Sequence, residues 1–342
     1  MQESRRRFLR DAALGAAVAT TSLGAGGTAH AAHEKDRPHT DDADLPLNLT
    51  VGHIRRQGAL ALAVKTDIGV LDVHGAAETL NYDVPHTVDE MLREGGGHLV
   101  STVAAKARAA QWARRHFFAE DQVEFGPPVQ HPEKIVCVGL NYRKHVAEVG
   151  AKLPDTPLLF NKYNNALMGH RGALALPTKV ARQFDYEVEL VIVMGRKTRE
   201  VSEADALKQV FGYATGNDFS ARDLQRKTSQ FMLGKSCDQF APVGPWIVGA
   251  GLVTDPQTLG LWCDVNGERR QASNTGDMVF TCAQIVSYIS QHMTLMPGDI
   301  IFTGTPEGVI AGMPENKRVW LKPGDRVRCS VDPFGVLDFT LS

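Results

Sequence analysis

The sequence lacks a cysteine pattern. Cys137, Cys237, Cys263, Cys282 and Cys329 are odd in number, scattered, and nowhere spaced C-x-x-C, which argues against a disulfide framework or a thiolate zinc site. It also lacks an excess of either charge, with 37 basic and 39 acidic residues. Without a basic stripe interleaved with aromatics, nucleic acid is not an expected partner, and a small polar molecule is the better default. No apolar run beyond the N-terminus approaches the roughly 20 residues of a membrane span. Internal repeats and phosphate-cradling glycine motifs are missing as well.

The N-terminus has the order of an export signal. Ser4-Arg5-Arg6-Arg7-Phe8-Leu9-Arg10 is a twin-arginine sequence, followed by an Ala/Gly-rich run from Ala12 to Gly26 and a small-residue site at Ala29-His30-Ala31. Residues 1–31 are expected to be a Tat-type leader, so the mature protein is expected to be soluble and periplasmic or extracellular in a bacterium, with no membrane attachment. The polar stretch 32–45 is expected to be a flexible linker.

Two texture changes organise the remainder. From 46 to 126 the pattern predicts a small α/β unit: two strands around the Thr66–Gly69 turn, then helices over Thr87–Leu92 and Leu99–Arg115. Pro127-Pro128 marks a connector, because consecutive prolines neither continue a helix nor donate to a sheet. Residues 132–342 predict a β-rich α+β domain of short strands separated by Gly and Pro turns. Asn266-Gly267 signals a two-residue hairpin, and Thr281 caps an amphipathic helix running to His292.

The chemistry centres on FDYEVELVIVMG, Phe184 to Gly195. In a strand Glu187 and Glu189 share a face with Val191 and Val193, while the opposite face is apolar or aromatic throughout. Such a strand is buried on both sides, and a buried carboxylate requires a compensating cation. A divalent metal is the simplest candidate. The alternative is a bent strand whose glutamates reach solvent or pair with Arg and Lys. Asp218, at the end of the strand Phe211–Asn217, adds a third oxygen donor, although an isolated aspartate there is more often a turn residue. An all-carboxylate set suits Mg²⁺ or Mn²⁺, with Ca²⁺ as a further candidate. His145 and Glu148 lie three apart on one helix face and would form an acid/base dyad, though such a pair is also ordinary on a solvated helix. Lys235, Arg222 and Gln225 offer donors to an anionic or dicarbonyl substrate, with an ordinary ion pair as the alternative for Lys235 and Arg222. Gly304-Thr305-Pro306-Glu307-Gly308 offers a tight loop for a carboxylate.

Five segments in this order, VGLNYRKHVAEVG, FDYEVELVIVMG, GYATGNDFSARDLQ, GKSCDQFAPVGPWIV and TGTPEGV, resemble the fumarylacetoacetate hydrolase family over residues 134–342. The resemblance implies a mixed β-roll, a homodimer, and a divalent metal on Glu187, Glu189 and Asp218. It further implies that His145 and Glu148 form a dyad on a lid and that Lys235 stands near the metal. Gln225 matches a polar pocket residue, and Thr305 matches the threonine of the substrate-carboxylate loop. The expected reaction is hydrolysis of a C–C bond in a 2,4-dioxo acid of acylpyruvate type through a metal-stabilised enolate. Isomerisation or decarboxylation of 2-oxo or 2-hydroxydienoate acids is the alternative within the family. An exported metal- or carboxylate-binding protein is the alternative outside enzymes. The chain departs from the family pattern at Phe160-Asn161-Lys162-Tyr163, with tyrosine where a proline is expected after lysine, in residues expected to border the pocket.

Overall fold

The computed structural model describes residues 44–342; the leader at 1–31 and all but the last two residues of the 32–45 linker lie outside the described residues. Those last two are packed: Leu45 is buried, and Asp44 accepts from Gly96 N at 3.2 Å and contacts His98 Nδ1 at 2.7 Å.

The chain begins with β1 (Thr50–Arg56), β2 (Ala59–Thr66) and β3 (Gly69–Asp72), then α1 (Val73–Leu80), α2 (Val88–Glu94), α3 (Gly97–Ala109) and β4 (Phe117–Phe118). After the Pro127-Pro128 connector come β5 (Ile135–Gly139), α4 (Arg143–Glu148), β6 (Leu158–Lys162), β7 (Leu167–Met168) and β8 (Ala173–Leu174). The centre of the chain holds β9 (Phe184–Asp185), β10 (Val188–Met194), α5 (Glu203–Ala206), β11 (Val210–Asn217) and β12 (Ser220–Ala221). Then follow α6 (Arg222–Gln225), α7 (Met232–Lys235), β13 (Ala241–Gly249), β14 (Gly260–Val265) and β15 (Glu268–Asn274). The C-terminal part consists of α8 (Cys282–His292), β16 (Ile300–Phe302), β17 (Arg326–Val331) and β18 (Val336–Leu341).

The sheets show an α+β, β-rich fold. An 11-stranded sheet runs β4-β3-β2-β1-β13-β11-β10-β16-β5-β6, with β7 joined to β13; β15-β14-β17-β18-β8 form a five-stranded sheet, and β9 pairs with β12. The segment 46–126 therefore adds four strands to the sheet that carries β10, through the antiparallel pairs Thr50↔Val248 and Val51↔Ile247. Strand β17 of the second sheet packs against β10 and β11.

Local signals explain several boundaries. Asn266 and Gly267 both take positive φ, 52° and 85°, as a tight hairpin turn between β14 and β15 requires. Thr281 and Gln284 form a reciprocal capping box at the start of α8. All five cysteines are free thiols.

The stretch Phe184–Gly195 differs from the single strand expected of it. Strand β9 pairs with β12, whereas β10 lies between β11 and β16, so the chain changes sheets at Tyr186-Glu187. Asn217 bridges the gap, its Oδ1 accepting from Glu187 N at 3.2 Å, while Asp218 N donates to Glu187 O at 2.9 Å. Every residue of β10 is nevertheless buried, so the strand is covered on both faces.

Candidate metal centre

Glu187 sits at the break before β10, Glu189 is the second residue of β10, and Asp218 follows β11. The register Val188↔Asn217 and Glu189↔Gly216 brings the end of β11 beside the start of β10. One carboxylate oxygen from each of Glu187, Glu189 and Asp218 falls within 4.8 Å of the others, and all three residues are buried. Gly216 is required by this close approach, because a Cβ there would stand 2.5 Å from Val191 Cγ2 and 2.8 Å from Phe302 Cε1.

The cations are arranged unevenly. Lys235 Nζ, on α7, donates to Glu187 Oε2 and Asp218 Oδ2, each at 2.7 Å. Arg222 Nη2 donates to Glu187 Oε1 at 2.6 Å. The bent-strand alternative is therefore half realised: the chain does turn at Glu187, and Glu187 does pair with Arg and Lys, but it remains buried. Burial pushes the Glu187 carboxyl up, and Arg222 and Lys235 outweigh that and hold it below the ordinary glutamate range. Burial pushes the Lys235 ammonium down, and Asp218 and Glu187 outweigh it in turn.

Glu189 has no such partner. Its one hydrogen-bond donor among the described residues is Gly304 N, 2.7 Å from Oε2. Burial, then Asp218 and Glu187, push its carboxyl well above the usual range.

Lys162, in the stretch expected to border the pocket, meets Asp218, a contact that no local signal in the sequence marks. Its Nζ lies 2.6 Å from Asp218 Oδ1, yet its N–H groups are directed at the carbonyls of Phe219 (3.1 Å), Phe240 (2.7 Å) and Lys235. Asp218 Oδ1 thus has a charge contact without a directed hydrogen bond. Locally, Asp185, Glu187, Glu189 and Asp218 face Lys162, Arg222 and Lys235, so with every carboxylate ionised one negative charge would be left over, and without a further cation it is Glu189 that is driven toward its neutral form. A divalent ion beside the three carboxylates would reverse that imbalance, and oxygen-only donors match a hard cation such as Mg²⁺ or Mn²⁺. The residues present fit such an ion.

His145 on α4 lines the same cavity of about 150 Å³ as the three carboxylates; Leu158, Phe160 and Phe231 add apolar surface to it, and Arg222, Gln225, Lys235 and Thr305 are among its polar lining. His145 is buried, and its Nδ1 lies 3.1 Å from Glu148 Oε2. Glu148 Oε1 accepts from Gly308 N at 2.9 Å. The pair is therefore docked on the 304–308 loop and is not an exposed helix pair.

Two expected substrate donors are engaged within the protein. Arg222 is committed to Asp185, Glu187 and Gln225. The Thr305 hydroxyl donates to Val188 O at 3.0 Å and accepts from Gln271 Nε2 at 2.9 Å. Gln225 turns its Oε1 to Arg222 Nη1 at 3.0 Å, which leaves its Nε2 available as a donor.

Tyr163, expected to border the pocket, is 53% exposed and lines a separate groove of about 590 Å³ with Met293. That groove is larger but brings no carboxylate triad together.

Comparison with known proteins places this geometry. The fumarylacetoacetate hydrolase C-terminal domain model matches residues 134–342. The chain is 38% identical over 270 residues to the mitochondrial oxaloacetate tautomerase of Rattus norvegicus, covering 79% of this chain and 82% of that protein. Among solved structures it is similar to 5-carboxymethyl-2-hydroxymuconate delta-isomerase from Mycobacterium smegmatis (TM-score 0.64, 31% identity, 85% of this chain and 98% of that one). It is also similar to maleylpyruvate hydrolase from Sphingobium sp. SYK-6, with TM-score 0.67, 30% identity and coverage of 85% and 98%. The relatives are enzymes of three reaction types, a tautomerase, an isomerase and a hydrolase, built on one fold. The chain belongs to the fumarylacetoacetate hydrolase family.

Proposed function

We propose that this protein is a divalent-metal-dependent enzyme acting on a small 2-oxo diacid of oxaloacetate type, moving a proton at the carbon beside the oxo group to interconvert keto and enol forms. The observation that carries this reading is the buried carboxylate triad lining one cavity of about 150 Å³ with His145 of the His145–Glu148 dyad. The small size of that cavity is in keeping with a short diacid. The tautomerase relative supports the same choice of substrate class.

Glu187, Glu189 and Asp218 would hold a divalent ion, which would supply Lewis-acid stabilisation of the negative charge on the oxo oxygen. The protein's own groups handle the proton. With Nδ1 engaged by Glu148, Nε2 of His145 is the atom that takes the proton from carbon and delivers it to the oxo oxygen to give the enol, the reverse transfer regenerating the keto form. Glu148 favours the Nδ1–H tautomer and steadies the charged imidazole. Lys235 adds positive charge beside Glu187 and Asp218. Gln225 Nε2 and the loop around Thr305 hold the substrate carboxylates, and Leu158, Phe160 and Phe231 line the cavity with apolar surface.

C–C hydrolysis of a 2,4-dioxo acid is the second reading. It is favoured by the same dyad, which can deprotonate a water in place of carbon, and by the likeness to maleylpyruvate hydrolase. Spectroscopic keto–enol interconversion assays on oxaloacetate, run beside cleavage assays on acylpyruvates with Mg²⁺ or Mn²⁺, separate the two. Acceleration of oxaloacetate enolisation without acylpyruvate cleavage is expected. Cleavage with no effect on oxaloacetate would move the assignment to the hydrolase, and inactivity on both would leave a binding protein.

A further inference from the structure

Asp185 takes no part in the chemistry above, yet it is fully buried in β9, two residues before Glu187. A carboxylate so placed must have its oxygens met by donors. Four reach it. Oδ1 accepts from Tyr186 N at 3.0 Å and Ile310 N at 2.9 Å, while Oδ2 accepts from Ala311 N at 3.0 Å and Arg222 Nε at 2.9 Å.

These bonds reach two parts of the site. The guanidinium of Arg222 is a planar fork whose donors have fixed relative directions. With Nε held on Asp185 and Nη1 on Gln225, Nη2 is aimed at Glu187 Oε1. Glu187 is thereby oriented by Arg222 on one oxygen and Lys235 on the other. The second part is the loop after β16. Gly304 N is fixed on Glu189, residues 310 and 311 are fixed on Asp185, and between them Gly308 N receives Glu148.

We propose that Asp185 is a positioning residue: through Arg222 it sets the orientation of Glu187 as a metal ligand, and through Ile310 and Ala311 it holds the loop that receives Glu148. The inference rests on the metal reading of the triad. Its rival is an ordinary buried ion pair, in which Asp185 neutralises Arg222 and contributes to folding alone. The rival leaves metal affinity unchanged in any variant that folds. Positioning changes it, because partners that orient metal ligands are typically worth 10–100-fold in affinity.

The test is Mn²⁺ binding, followed by electron paramagnetic resonance titration, with the thermal midpoint of the metal-free protein measured in parallel. The proteins are wild type, Asp185→Asn, Arg222→Met and the double variant. Asp185→Asn keeps shape and one acceptor oxygen but removes the anionic oxygen facing Arg222. We expect its Mn²⁺ dissociation constant to rise about tenfold or more. Arg222→Met should behave similarly, and the double variant should be no weaker than the weaker single, since the two residues act in series. Wild-type affinity in Asp185→Asn, or losses that multiply in the double variant, would overturn the inference while leaving the metal site standing. A wild type that binds no Mn²⁺ would overturn both. If Asp185→Asn does not fold, Arg222→Lys decides: it keeps a cation beside Glu187 without the fork, so weakened binding supports the inference and unchanged binding overturns it.

Discussion

Glu148 accepts the backbone N–H of Gly308 at 2.9 Å while holding His145 Nδ1 at 3.1 Å with its other oxygen. One carboxylate therefore joins the acid/base helix to the 304–308 loop. Removing it should both loosen the helix and leave the imidazole without its orienting partner. Steady-state kinetics of Glu148→Ala and His145→Ala should each show kcat reduced by about 10²–10⁴-fold, with Mn²⁺ affinity close to wild type. A variant with a normal kcat would remove the dyad from the proposed mechanism.

Chelation supplies the next expectation. Protein treated with EDTA should lose turnover and regain it with Mg²⁺ or Mn²⁺. Because the ion binds only the folded state, a concentration of 100 times its dissociation constant should stabilise wild type by about 2.7 kcal/mol, visible as a raised melting temperature. Glu189→Ala should show neither effect.

Stability should fall in mild acid. His53 is fully buried, with Nδ1 2.9 Å from Pro127 O and Nε2 accepting from Val88 N at 2.8 Å, an arrangement that fits the neutral ring. Burial lowers its pKa against the opposing pull of Pro127 O and Asp89. At His170, burial, then Arg171, lower the pKa to about 4. Both groups have folded pKa values below the unfolded value near 6.5, so below that pH the unfolded chain binds protons that the native state refuses. Their contribution is complete above pH 6.5 and declines as pH falls, down to about 4 for His170. Each accounts for at most about 1.4 kcal/mol per pH unit. Urea midpoints measured from pH 7.5 to 4.5 should show a shallower acid slope in His53→Gln than in wild type.

Gly234 lies one residue before Lys235, where a Cβ would come within 2.4 Å of Gln225 N and 2.6 Å of Ala221 O. These are backbone atoms that cannot swing aside, so Gly234→Ala must push α7 away from α6 and carry the lysine with it. A stability loss of about 1–3 kcal/mol is expected, and turnover should fall by more than the fraction unfolded explains.

The leader remains a proposal about residues 1–31. In a Tat-competent bacterium the full chain should be recovered, shortened near Ala31, outside the cytoplasm, and replacing Arg5 and Arg6 with lysine should retain it inside uncleaved. Equal fractionation of the two proteins would dismiss the signal.

The Glu187–Glu189 pair is legible in the chain because two acids inside an apolar run are costly without compensation, whereas Asp218 by itself reads as a turn residue and joins them only through the family resemblance. The turns at Asn266-Gly267 and the cap at Thr281 are equally local, so they too can be read directly. What escapes is tertiary. Asp185 meets Ile310 from 125 residues away, and Lys162 meets Asp218 through a fold in which neither sequence neighbourhood names the other. The break at Tyr186-Glu187 is hidden because both halves have strand-like composition and only their partners differ. For Arg222 and Thr305 the chain leaves substrate donor and structural partner both open, and only Asp185, Glu187, Gln225, Val188 and Gln271 show them held within the protein.

The pairing of β1 with β13 has a practical consequence for anyone cutting this protein at the Pro127-Pro128 connector. Strand β13, APVGPWIVG, is buried at all nine positions, and β1 covers part of its edge. A fragment starting at residue 132 would present that edge, with Ile247 and Val248, to solvent as an open apolar template for strand addition. Such a fragment should self-associate when expressed alone, even though it contains every proposed metal ligand and both members of the dyad.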